Sequence, residues 1–166
     1  MNTVFYRYIR PTRLNPQRFE IETLPRGGVC LRFQERGDGS LWFTHARCHE
    51  DELFSKNVAR LIADSRAVTV TANARDGIHL VNEFLGPIQQ GPTEALVEQV
   101  VEHCLSWVPP LNASIATKNY LVAELREVGH ALLQICSVNT KERMKQAEWM
   151  AAANAAKDMY KGLEAK

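Results

Sequence analysis

Several familiar chemical signatures are missing from this chain. Its four cysteines, Cys30, Cys48, Cys104 and Cys136, are widely spaced and form no CxxC pair. That leaves no thioredoxin-like redox motif and no paired-cysteine zinc ribbon. There is no GxSxG, no Walker loop and no GxGxxG, so nucleophile-elbow hydrolases, P-loop enzymes and dinucleotide-binding units lack their signatures. No run approaches the roughly 20 apolar residues of a membrane helix. The opening MNTVFYRYIRPTR has no apolar stretch of signal-peptide length. The net charge is only +1, too small for a strong overall field toward nucleic acid or lipid. The expectation is a reduced, cytoplasmic protein whose cysteines serve as small core residues.

What remains is ordinary in bulk and uneven in detail. The 166 residues are 45% hydrophobic and 23% charged, values of a globular chain with one domain or two small ones. Residues 1 to 80 hold 12 Lys and Arg against 9 Asp and Glu, and 11 of those 12 are Arg. Arginine's planar fork suits phosphate, carboxylate and protein interfaces; a solvated sheet face would also carry it.

Periodicity predicts an α+β protein. Residues 3 to 9, TVFYRYI, read as a strand ended by Pro11 and Pro16. Residues 18 to 24 alternate, with Phe19 and Ile21 on one side and Glu20 and Glu22 on the other. Residues 29 to 48 predict a hairpin whose turn is Arg36-Gly37-Asp38-Gly39-Ser40. A helix is expected over 51 to 66, with Leu53, Phe54, Val58, Leu61 and Ile62 as its buried stripe. In that reading Asp51 and Glu52 favour the helix N-terminus, and Glu52 pairs with Lys56. Residues 67 to 72 suggest another strand, and 78 to 85 a short helix or strand. Helices follow over about 93 to 108 and 114 to 136. A final Ala-rich helix starts at Asn139, where Glu142 completes a capping box. The expected divisions are 1–85, sheet plus helix, and 93–166, helical, with a seam at 86–92.

The residues that could carry chemistry do not converge. His45, Cys48 and His49 suggest zinc, but a strand through Cys48 would face it away from both histidines, and a structural zinc site wants four ligands. His103 and Cys104 are adjacent on a helix and point about 100° apart. Glu98 and Glu102, four apart, match an ordinary solvated face. No catalytic residue, metal or cofactor is therefore expected, and a small hydrolase or metal enzyme is the weakest reading. For nucleic acid, Arg10 with Tyr6 and Tyr8, and Arg32, Arg36 and Arg47 on the hairpin, could form a single-strand stacking surface. Glu20, Glu22 and Glu35 dilute its charge.

Cys48, Glu52, Phe54, Ser55, Lys56, Ala59, Arg60, Ile62, Ala63 and Arg66 fit the pattern C-x3-[DE]-x-F-S-K-x2-[GA]-R-x-I-A-x2-R after a hairpin. This segment resembles one in small uncharacterised phage and prophage proteins. Glu52 stands where Asp is expected and Ala59 where Gly is expected, and the likeness covers only about 40 residues. The resemblance implies a genomic setting: an accessory protein acting in the cytoplasm of a bacterial host. In that setting the leading expectation is a non-enzymatic binder of a host protein complex, with Lys56, Arg60 and Arg66 at the contact. Inhibition of a bacterial defence system, as by anti-CRISPR proteins, is one concrete form. Nucleic-acid binding by the Arg-rich sheet is the second, and self-association through the C-terminal helices accompanies either.

Overall fold

Side-chain alternation sets the layers. In β4 (Arg26–Glu35) Val29, Leu31 and Phe33 are fully buried on one face, and in β5 (Leu41–Leu53) Leu41 and Phe43 join them. The opposite face of the same strands presents Cys30, Arg32, Thr44 and Ala46. The computed structural model describes residues 3–72, 82–84, 93–108, 111 and 115–165. Its main sheet is antiparallel in the order β1-β4-β5-β6, with β1 at Thr3–Ile9 and β6 at Asn82–Phe84. A second, two-stranded sheet pairs β2 (Thr12–Asn15) with β3 (Glu20–Thr23). The α+β class holds. The expected hairpin holds too: Asp38 accepts the Ser40 N–H at 2.9 Å and the Ser40 hydroxyl at 2.6 Å, closing the turn.

Helices cover both faces of the main sheet. Helix α2 (Thr93–Ser106) and the first half of α3 (Ile115–Glu164) bury Val97, Val100, Leu125, Val128 and Leu132 against Leu31, Phe33 and Phe43 in one core. The two helices cross closely, because a Cβ at Gly129 would stand 3.0 Å from Leu105 and 3.1 Å from Cys104. On the other face α1 (Lys56–Ala72) lays Ala59 and Ala63 against Cys30 and Ala46.

Four expectations need correction. The helix begins at Lys56, not 51, because β5 runs on to Leu53. Arg26 pairs with Leu53, and the Phe54 N–H donates to the Pro25 carbonyl at 2.9 Å, so Asp51 and Glu52 lie in a bulge of the strand and not in the helix. The expected helical pair Glu52–Lys56 therefore does not exist. Residues 67 to 72 are helix, not strand: the small-residue face continues through buried Ala67, and packing overrides the β-branched composition. Asn139 starts no new helix, since α3 runs through it unbroken for 50 residues. Strand β2, bracketed by Pro11 and Pro16, was not expected at all. Of the residues expected near 78 to 85, 82–84 are strand. The 86–92 seam and residue 114, where the second helix was expected to start, lie outside the described residues.

Asn139 and Glu142 do cap backbone donors, but those of another element. The Asn139 Oδ1 accepts the Thr12 N–H at 2.8 Å and its hydroxyl at 2.7 Å, while its Nδ2 donates to the Arg10 carbonyl at 2.9 Å. Glu142 accepts the Leu14 N–H at 2.7 Å, which holds its carboxyl below the usual range. The edge strand β2 is thus satisfied by helix side chains instead of a third strand.

Candidate binding surface

Helix α1 sits on the sheet by its small residues. Ser55 accepts the Val58 N–H at 3.3 Å as the N-cap. Ala59, Ala63 and Ala67 follow at steps of four, a column without bulk that lets the helix approach the strands. Thr44 donates its hydroxyl to the Ala63 carbonyl at 3.0 Å beneath it. Phe54 enters from the strand end and stacks edge-on to Tyr8, with ring centroids 6.1 Å apart. A Cβ at Gly28 would lie 3.1 Å from the Phe54 ring.

This seating turns the expected core stripe outward. Val58 is 54% exposed, Leu61 68%, Ile62 41% and neighbouring Leu53 68%. Four large apolar side chains on one helix and the strand leading into it therefore face solvent. A shallow depression lined by Cys48, Leu53, Val58 and Ile62 runs beside them.

The structure brings together only part of the Arg and Tyr set. Tyr6, Arg32 and Arg60 meet around Asp64 of α1, and Tyr8 pairs with Lys56 nearby. Asp64 accepts the Tyr6 hydroxyl at 2.6 Å and the Arg32 Nε–H at 2.9 Å. Burial first, and then Asp64, push the Tyr6 phenol up. Arg60 lies 4.3 Å over the Tyr6 ring and Lys56 5.0 Å over the Tyr8 ring. Arg36 is apart at the hairpin tip, 3.7 Å over Trp42. Arg10 donates to the Leu24 carbonyl at 2.8 Å and covers Phe54 at 4.4 Å. Arg47 pairs with Glu127 of α3 at 3.5 Å. Arg66 pairs with Glu124 of α3 at 3.6 Å and donates to the His45 carbonyl at 2.8 Å.

Each aromatic face that a base would stack on thus carries a cation from the protein itself. The guanidinium groups of Arg32, Arg47 and Arg66 already hold carboxylates. The residues of the segment from Cys48 to Arg66 serve packing: Cys48 donates its thiol to the Glu52 carbonyl at 3.4 Å, Ser55 caps, Ala59 and Ala63 fit the sheet, and Arg66 donates to the His45 carbonyl.

Among the described residues no group of three or more His, Cys, Asp or Glu side chains could hold a metal. His45 is buried, and burial followed by Arg66 lowers its pKa to about 3. Cys48 projects to the opposite face of β5, as the alternation requires. Burial pushes the Cys104 thiol up to about 12, which removes it as a nucleophile. The described residues also line two open grooves. One, of about 430 Å³, lies between β5 and α3 and is lined by Arg47, His49, Glu127 and His130. The other, of about 750 Å³, has a floor of Val97, Val101, Leu132 and Leu133 between walls carrying Glu94, Glu98 and Glu102 and, opposite in sign, Arg10, Lys56 and Arg143.

Sequence reasoning missed the outward row of α1 because it counted large residues. The Ala59-Ala63-Ala67 column was the available signal for the buried face. No helix of the described residues is long and apolar enough to cross a membrane. No family model, curated protein or solved structure matches the chain.

Proposed function

We propose that the chain is a non-enzymatic accessory protein that works by binding another protein complex through α1. The observation that carries this reading is the exposed row Leu53, Val58, Leu61 and Ile62 beside Lys56 and Arg60. A small apolar patch ringed by charge is the make-up of a protein contact. The setting follows from the phage resemblance: the partner is a cytoplasmic complex of a bacterial host, and inhibition of a host defence system is the concrete form. Self-association through the C-terminal helix belongs to the same reading.

Nucleic acid is the second choice for a physical reason. Phosphate binding needs cations free to exchange their counterions, and three of the six candidate arginines, Arg32, Arg47 and Arg66, already hold a carboxylate within the fold. Capture from bacterial lysate with and without nuclease tests the choice. A defined set of host proteins retained through nuclease and high salt is expected. Retention of nucleic acid alone, lost at high salt, would replace the protein reading with the nucleic-acid one.

A further inference from the structure

Helix α3 outruns the body it serves. Its 50 residues span about 75 Å at 1.5 Å per residue. From residue 147 to 165 every side chain is exposed. An Ala-rich helix can persist alone, but this one also carries Trp149, Met150, Met159, Tyr160 and Leu163 in water.

Five positions share one face. Trp149, Ala153, Ala156, Tyr160 and Leu163 recur at alternating steps of four and three, the seam of a coiled coil. Over two heptads a straight helix drifts by only about 40°, so the seam stays on one side. It begins where the body ends: Trp149 meets the half-exposed Phe19 ring edge-on at 5.7 Å, and Gln146 donates to the Phe19 carbonyl at 2.8 Å.

The geometry points to a second copy of this chain as the occupant, paired antiparallel about a two-fold axis beside residues 154 and 155. That register sets Ala153 against Ala156 of the second copy at the centre, where small side chains allow close approach. It sets Trp149 against the second copy's Tyr160 on either side, and carries Leu163 toward the exposed Phe19. It also brings Arg143 alongside Glu164 of the second copy, twice per dimer. Neither of these charges forms a salt bridge with a described residue of its own chain. In a parallel pair they would be about 31 Å apart. This gives the self-association of the proposed function a register, and it stands apart from capture of another protein by α1.

Sedimentation equilibrium of the full chain tests it. The wild type should have about twice the 18.8 kDa chain mass. Ala153→Glu should be a monomer with unchanged helical circular dichroism, since that position is exposed. Arg143→Glu should weaken the dimer about fivefold, through two exposed ion pairs, and adding Glu164→Arg should restore it. A monomeric wild type, or a dimer that survives Ala153→Glu, overturns the pairing. A charge swap that restores nothing overturns the antiparallel register. A dimer that captures no host protein would leave this inference standing and remove the α1 reading instead.

Discussion

Arg66 on α1 reaches across to His45 of β5: its Nη1 lies 2.8 Å from the His45 carbonyl oxygen and 3.1 Å from the ring Nδ1. Among the described residues β6 pairs with Leu41, Trp42 and Phe43. The same guanidinium reaches Glu124 on α3 at 3.6 Å. One side chain thus ties the helical layers on the two faces together. Arg66→Gln should cost about 1–3 kcal/mol, because it strips a buried carbonyl and a carboxylate of their donor. Urea unfolding of the variant against wild type measures it.

His45 makes stability depend on pH. Its pKa falls from 6.5 in the unfolded chain to about 3 in the fold, by burial and then by Arg66. Above the unfolded value both states are neutral and pH has no effect through this group. Below it the unfolded chain binds a proton that the fold refuses, so stability declines as pH falls from 6.5 toward 3. The loss should reach about 2 kcal/mol by about pH 5. His103, also lowered by burial, adds in the same direction. Unfolding midpoints at about pH 7.5 and about pH 5 should differ more for wild type than for His45→Gln, which keeps an acceptor and does not titrate.

The two faces of α1 should respond oppositely to substitution. Ala63 is fully buried between helix and sheet, and Ala63→Leu should destabilise by about 1–3 kcal/mol through overpacking. Leu61→Glu, on the exposed side, should change stability by no more than about 0.5 kcal/mol. Thermal unfolding of the two variants reads this directly. A strongly destabilised Leu61→Glu would mean that the face is covered.

The side-chain caps on β2 should appear in amide exchange. Asn139→Ala removes the acceptor of the Thr12 N–H and hydroxyl. Thr12 should then exchange markedly faster, while Val29 and Leu31 in the main ladder keep their protection.

The sheet could be read from the sequence because alternation and an Asp-Gly turn are local signals. Phe33 and Phe43 face each other across the hairpin that they predict. What escaped reading depends on contacts made elsewhere in the chain. Asp51 and Glu52 look like a helix start, yet they lie in the bulge of β5 between the pairs Gly28–Cys48 and Arg26–Leu53. Asn139 and Glu142 form a genuine capping pattern, but the donors that they satisfy belong to Thr12 and Leu14, more than 120 residues away. In α1 the larger side chains suggested the buried face, whereas the sheet admitted only alanine. The arginines of the candidate surface were found by type, but their partners Asp64, Glu124 and Glu127 lie at separations no spacing rule connects.

The contact proposed for α1 is its outward apolar row, Leu53, Val58, Leu61 and Ile62, and not the Arg and Tyr cluster. Capture of bacterial lysate proteins by wild type, Leu61→Glu and Arg60→Ala, all with nuclease present, tests it most directly. The account predicts that a defined host complex is retained by wild type, lost with Leu61→Glu and largely kept with Arg60→Ala. Equal capture by Leu61→Glu and wild type would contradict it.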